Sequence, residues 1–388
     1  MKKSILFLVC KWIITFGNRM QMVVLPVIVF SIWQSTELLS LTFIVETIPW
    51  LMISPFLTVL IKKYFTAKKA YIIGNLLRAI CIISLTFFIK NYIMIIVIFF
   101  ILGIINSCIS PIYATLIRKN TSEDNLNYIL SISLGVDDVI SIIAPILVTI
   151  GLGMKMNPII FIYLNALLMF GAACLGLAFP SHKEIKVDKI IVEERLIVLL
   201  NKFRQNIMKV IRNGKFSYII VIESIRSFAE GMCIPILISY VLLVLKSQES
   251  IYTTGEIVNS IAQVILSLFY IIMIKKISQR ATISIGTIFM GISLLLLCVT
   301  STQISYMFSM FLLGGGMALR QIVAENILIS NASETEVAHS VTIFNATISF
   351  SYIAGYGISI FLQNKPLIIC GFFAGFILLI LSVFKKDK

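Results

Sequence analysis

Glu223, Arg226 and Glu230 stand at i, i+3 and i+7 in "IIVIESIRSFAEGMCIPILI" (219–238), a stretch that is otherwise largely apolar. Helical spacing puts all three on one face, where they can form a buried ion-pair ladder or wall a polar cavity. Arg226 neutralises only one glutamate, which leaves a second carboxylate free to hold a mobile proton. Asp137 and Asp138 form another acidic pair, in "SLGVDDVISIIAP" (133–145). At about 100° per residue, Asp138 joins a small, polar stripe with Ser131, Gly135, Pro145 and Thr149. Asp137 points about 100° away, nearer Ser133 and Ala144. The two therefore do not share one small site. Either can carry a proton, or can pair with an arginine of another helix, Arg19 or Arg320. Arg19 lies beside Asn18 and near Gln21, Glu46 lies in a second apolar run, and Arg320 follows "GGGM" (314–317).

The segments that must position these charges are long and greasy. Of 388 residues, 59% are hydrophobic and the mean hydropathy is +1.01, against roughly 45–50% apolar residues in an average soluble domain. The apolar runs are long enough to cross a hydrocarbon layer of about 30 Å. Twelve spans are expected, near 5–32, 40–61, 69–89, 92–117, 126–151, 158–179, 216–245, 252–274, 281–300, 304–329, 337–363 and 366–384. The fold class is an all-α polytopic membrane protein, twelve transmembrane helices in two six-helix halves around a central cavity. A charge at mid-membrane costs about 2.5–3.5 kcal/mol on insertion scales, so each buried one asks for a partner or a function.

The net charge of +14 would suggest nucleic acid in a soluble chain. Here Lys2 and Lys3, "KKYFTAKK" (62–69), "RKN" (118–120), the break 181–215, "KKISQR" (275–280) and "KKDK" (385–388) alternate with loops poor in Lys and Arg. That is the positive-inside pattern, and it predicts a multi-pass protein of the cell membrane with both termini cytoplasmic. The first run continues to about Trp33 with no A-x-A-like cleavage site, so it reads as a retained span. The seven cysteines form no C-x-x-C, the two histidines lie far apart, and no G-x-x-x-x-G-K-[ST] occurs. Metal, cofactor and ATP-driven chemistry have no motif here, and no nucleophile, base and orienter group together as an enzyme would need.

The break between spans six and seven divides the chain into 1–180, a linker 181–215 and 216–388. Within the linker Leu196, Leu199, Leu200, Phe203, Ile207 and Val210 recur at helical spacing opposite Lys202, Arg204, Lys209 and Arg212. This describes an amphipathic helix, lying on the anionic inner leaflet or serving as a plain connector. The halves also echo each other. "LG" at 102–103 precedes "NTSE" at 120–123, and "LG" at 313–314 precedes "NASE" at 331–334; "IKK" at 61–63 precedes Gly74, and "IKK" at 274–276 precedes Gly286. Near-equal offsets at equivalent span ends indicate a duplicated six-helix unit, as secondary transporters use.

The stretch "ISPFLTVLIKKYFTAKKAYIIGNLLRA" (53–79) resembles the signature loop of the major facilitator superfamily, and in particular its macrolide-efflux-like branch of drug exporters. The matching residues are Ser54, Pro55, Lys63, Lys68, Lys69, Gly74, Leu76, Leu77, Arg78 and Ala79. "SPIYATLIRKNTSEDN" (110–125) extends the likeness, which runs more loosely along the whole chain. The resemblance implies that Lys62, Lys63, Lys68, Lys69 and Arg78 belong to an inward gate loop. Thr58 and Lys62 stand where the family has Gly and Asp, and Asn75 replaces a later Asp, so the acidic partners the family gives Arg78 are missing. Span five has Ala144-Pro145, then Val148-Thr149, where antiporters of the family have Gly-Pro and a Gly pair.

The expected function is proton-coupled export of an amphipathic small molecule, such as an antibiotic or secondary metabolite, by alternating access in a monomer. Its partners are that solute, protons and the bilayer, with no nucleic acid. The proton-coupling candidates are Asp138, Asp137, Glu230 and Glu223; Arg19, Glu46, Arg226 and Arg320 are expected to line the substrate cavity or pair with these carboxylates. The alternatives are uptake or exchange of an anionic metabolite, with Arg19 and Arg320 as anion ligands, and a transport-dead scramblase or sensor that keeps the fold.

Overall fold

The computed structural model describes residues 2–52, 65–120, 123–179, 214–273, 277–330 and 334–383. These residues form twelve α-helices and no strand. In chain order they are α1 (Lys2–Trp33), α2 (Thr36–Met52), α3 (Ala67–Phe88), α4 (Tyr92–Asn120), α5 (Glu123–Gly153), α6 (Ile159–Gly176), α7 (Gly214–Ser239), α8 (Glu249–Met273), α9 (Gln279–Val299), α10 (Gln303–Ser330), α11 (Glu334–Ser359) and α12 (Lys365–Val383). A five-residue π-helical turn, Tyr240–Val244, continues α7. Lys62, Lys63 and the linker 181–215 up to Asn213 lie outside the described residues.

Among the described residues, eight helices are long and apolar enough to cross a membrane: α1, α3, α4, α6, α7 with its π turn, α9, α10 and α12. Among the described residues of α8, polar side chains interrupt the apolar run. In α8, Thr253, Glu256, Asn259 and Gln263 recur about once per turn, with Thr253 and Asn259 buried. Such a helix sinks its polar stripe in protein and scores low on hydropathy for that reason. Outward faces show the opposite pattern: Leu77, Ile80, Ile83 and Phe87 make an exposed apolar stripe along α3, the surface a lipid tail requires.

The chain separates into two compact units, one formed by Met1–Ile28 with Val45–Leu199 and the other by Val29–Ile44 with Leu200–Lys388. In the first, Phe7, Cys10, Tyr71, Ile105, Ile109, Ile112, Leu116 and Phe179 make a core shared by α1, α3, α4 and the chain after α6. The rings of Phe7 and Phe179 have centroids 4.2 Å apart, and those of Tyr71 and Phe179 5.0 Å. In the second, Ile222, Tyr270, Ile283, Leu319 and Val323 tie α7, α8, α9 and α10 together.

The sequence echoes mark corresponding local structure in the two units. The Thr66 hydroxyl caps α3 by accepting from the Lys69 N–H, and the Ser278 hydroxyl caps α9 by accepting from the Ala281 N–H. Both satisfy one of the orphan donors at a helix start. A Cβ at Gly103 would lie 2.3 Å from the Glu46 carbonyl, and one at Gly314 would lie 2.1 Å from the Asn259 carbonyl. Each glycine lets α4 or α10 approach the backbone of α2 or α8, the use small residues have between membrane helices. Gly74 meets Ile109 of α4 in the same way that Gly286 meets Gly316 and Arg320 of α10.

Candidate functional site

In the second unit the three-residue ladder on α7 becomes a four-charge cluster. Arg226 pairs with Glu223 and with Glu230, both nearly inaccessible to solvent. Arg320, carried by α10 and completely buried, donates from Nη2 to Glu223 at 3.2 Å and to the Ile222 carbonyl at 3.2 Å, and from Nη1 to the Thr287 hydroxyl of α9 at 2.6 Å. The Tyr352 hydroxyl of α11 donates to Glu230. Two arginines therefore stand against two glutamates. The carboxylate left over when α7 is read alone is balanced by Arg320 from another helix. Because both carboxylates keep hydrogen-bond donors, the cluster tolerates its burial, which an isolated charge could not.

The backbone that holds this cluster is tightly packed. A Cβ at Gly355 would meet the Phe228 carbonyl at 2.3 Å, and one at Gly231 would meet the Tyr352 carbonyl at 2.6 Å. α7 and α11 thus touch main chain to main chain beside Glu230 and Tyr352. The geometry fits a rigid structural lock, since every nitrogen of Arg320 is committed to a protein acceptor.

The first unit carries a different arrangement. Lys11 of α1 pairs with Asp137 of α5, and both side chains keep some exposure. Arg78 of α3 is buried; it donates from Nη2 to the Asn18 side chain of α1 at 2.6 Å and from Nη1 to the Asn75 side chain at 3.4 Å. Glu46 of α2 is the acidic group whose charge acts on Arg78, with Asn106 of α4 beside it. The close approach at Gly103 fixes the α2 backbone at Glu46. Asn165 of α6 donates to Gln21 of α1 at 2.6 Å.

A cavity of about 280 Å³ opens among these side chains, lined by Lys11, Ile14, Asn18, Trp50, Arg78, Asn106 and Ile109. Lys11, Ile14 and Asn18 recur at i, i+3 and i+7 on one face of α1, and Asn106 and Ile109 at i and i+3 on α4. Among the described residues its wall carries two cations, two amides, an indole and two branched aliphatic side chains. Such a surface can hold a small ligand that is polar at one end and flat or apolar at the other.

The sequence-based candidates fall into place unevenly. Glu223, Arg226, Glu230 and Arg320 come together, whereas Asp137 and Arg78 belong to the first unit. Asp137 pairs with Lys11, which α1 presents to α5. Arg320 donates to Glu223, Thr287 and the Ile222 carbonyl. Arg19 is half-buried on α1 and makes contacts of its own. The Asp138 side chain lies outside what is described, although its place in α5 is clear. Lys68 donates to the carbonyls of Leu177 and Phe179, at 2.7 and 2.6 Å, and so closes the end of α6; Lys69 is exposed. Arg78, without the acidic partners of the resembled loop, donates to Asn18 and Asn75, and the acid whose charge acts on it is Glu46 of α2.

Sequence reasoning passed over Lys11, Trp50, Asn106, Thr287 and Tyr352. Lys11 carried a readable signal, a lysine in the middle of "LFLVCKWIITF" (6–16). The others are residue types common in any helix, and only tertiary contacts single them out.

The sequence profile described as Major Facilitator Superfamily matches residues 7–255. Among solved structures, the nucleoside transporter NupG is similar over 100% of both chains, with 15% identity and a TM-score of 0.77. An auto-inhibited POT family peptide transporter is similar over 99% of this chain and 95% of its own, with 10% identity and a TM-score of 0.74. A POT family transporter in complex with 5-aminolevulinic acid covers 97% and 96%, with 14% identity and a TM-score of 0.72. At these identities the likeness is one of fold. No curated protein sequence gives a significant match.

Proposed function

This chain belongs to the Major Facilitator Superfamily, and from that premise we propose that it exports an amphipathic small molecule by alternating access, driven by proton inflow. The observation that carries the reading is the polar cavity of about 280 Å³, set among helices whose outer faces are apolar. A cavity of mixed character, with the lysine of the Lys11–Asp137 ion pair and a buried arginine on its wall, suits an amphipathic solute. Ionisable carboxylates within the membrane are the natural candidates for proton exchange. Asp138 and Asp137 are the first coupling candidates, and Glu230 and Glu223 follow, although their double pairing favours a structural part.

The same reading takes all twelve helices as spans, arranged as six-helix halves 1–180 and 216–388 joined by the linker 181–215. It places both termini in the cytoplasm and the protein in the cell membrane as a monomer. An efflux-deficient host tests it by toxicity and accumulation screening, comparing wild type with Asp138→Asn and Asp137→Asn. Lower accumulation of at least one compound, lost in one of the variants, supports coupled export. If both variants export as well as wild type, the aspartates are structural.

A second reading is uptake or exchange of an anionic metabolite. It is favoured by the two cations on the cavity wall, and the neighbours NupG and the POT transporters are described as carriers of nucleosides and peptides. Opposite directions of accumulation in intact cells separate the two.

A further inference from the structure

We propose that the cavity of the first unit binds an amphipathic organic anion, a carboxylate carried on a flat apolar body. This deepens the transport reading above by naming the chemistry of its solute. Two features of the wall carry it. Lys11 and Arg78 both line the cavity, whereas their counter-ions Asp137 and Glu46 do not. The cations thus face the space and the carboxylates back them. When the site is empty Lys11 keeps Asp137, and Arg78 keeps its hydrogen bonds to Asn18 and Asn75, so the burial of the cations is tolerated. When a ligand enters, its carboxylate meets an ammonium and a guanidinium from the cavity side, and charge-assisted hydrogen bonds form with no change in the protein pairs.

The rest of the wall selects the body of the ligand. Trp50 offers an indole face, which favours flat rings, and Ile14 and Ile109 close the apolar portion. The side-chain amides of Asn18 and Asn106 accept or donate to any further polar group. A volume of about 280 Å³ sits at the lower edge of small-molecule pockets, about 300–1,000 Å³, so the fitting ligand has one or two rings. A cationic amphiphile meets two like charges here, and a macrocycle exceeds the space.

The test uses the full chain in phosphatidylcholine nanodiscs with tritiated 1-naphthoate as the probe. Saturable binding is expected, displaced at least about tenfold less well by 1-naphthamide and not at all by 1-naphthylmethylammonium. Lys11→Gln, Trp50→Leu and Arg78→Lys should each weaken binding about tenfold or more, while Lys155→Gln in an exposed turn leaves it unchanged. Thermal unfolding of each variant accompanies the titration, and Trp50→Leu, which touches no ion pair, is decisive if an arginine or lysine variant fails to fold. Absence of saturable naphthoate binding, equal binding of the ammonium probe, or unchanged affinity in Lys11→Gln and Trp50→Leu would each overturn the proposal. Displacement of naphthoate by added phosphatidylglycerol assigns the cavity to a lipid headgroup and also overturns it. Flux assays in proteoliposomes keep the two readings apart. Naphthoate binding without naphthoate flux removes the transport reading and leaves the site, and ethidium flux without naphthoate binding does the reverse.

Discussion

Arg320 and Glu223 lie 97 residues apart in sequence, yet the fully buried guanidinium of one rests 3.2 Å from the carboxylate of the other. This contact joins α10 to α7 and turns a ladder on one helix into a neutral four-charge cluster. Replacing Arg320 with Met strands Glu223 with Arg226 alone and removes the donors to Thr287 and Ile222. Breaking a buried pair from one side costs about 3–5 kcal/mol, whereas replacing both partners with apolar groups is often neutral. Arg320→Met should therefore lower thermal stability sharply, and Arg320→Met with Glu223→Met should recover most of the loss. A single variant within about 1 kcal/mol of wild type would show that the pair does not hold α10.

The glycines of α11 give a paired control. A Cβ at Gly355 meets the Phe228 carbonyl at 2.3 Å, whereas one at Gly357 meets nothing within 4 Å. Gly355→Ala is expected to cost about 1–3 kcal/mol by overpacking, and Gly357→Ala to be neutral or stabilising by about 0.5–1 kcal/mol through helix propensity. Thermal melts in nanodiscs read both. Equal effects at the two positions would refute the main-chain contact between α7 and α11.

Asp137 and Lys11 form a pair whose side chains are 19% and 27% exposed. Partly hydrated pairs contribute about 1 kcal/mol or less, so Asp137→Asn should fold nearly as well as wild type. A pair that helps to drive transport should nevertheless lose flux when either member is neutralised. The swap Lys11→Asp with Asp137→Lys should return part of that flux. Unchanged flux in both single variants would reduce the pair to packing.

Lys68 closes α6 by donating to the carbonyls of Leu177 and Phe179. A cation at a helix C-terminus is worth about 0.3–1 kcal/mol, so Lys68→Ala should lower the melting temperature slightly and Lys69→Ala should not. If Lys68→Ala changes transport rate and leaves melting untouched, the residue acts in the gate loop that the family resemblance implies.

The all-helical, membrane-type character of the chain was legible in the sequence. Hydropathy alone locates the helices, because a run such as Tyr92–Ile109 has one stable place, inside a bilayer. The near-equal offset between the glycines of the two halves anticipates that Gly103 and Gly314 meet corresponding carbonyls, those of Glu46 and Asn259. The charges were harder. Helical phase correctly puts Glu223, Arg226 and Glu230 on one face, but phase is a property of one helix and says nothing about which partner arrives from another. Arg320 reached Glu223, Arg78 reached Asn18, and Lys11 reached Asp137, all through tertiary packing that periodicity does not encode. Trp50 illustrates the remaining gap, since an indole in an apolar helix looks the same whether it faces a cavity or a lipid tail.

The central claim is proton-driven transport of an amphipathic solute, and the most direct measurement is flux in proteoliposomes under an imposed pH gradient. Purified protein is reconstituted and loaded with 1-naphthoate or ethidium, and efflux is followed with and without a protonophore, in wild type and in Asp138→Asn. Gradient-dependent movement of at least one probe, abolished by the protonophore and strongly reduced in the variant, is the expected result. Movement of neither probe under any gradient, or movement that ignores both the protonophore and the substitution, would contradict it.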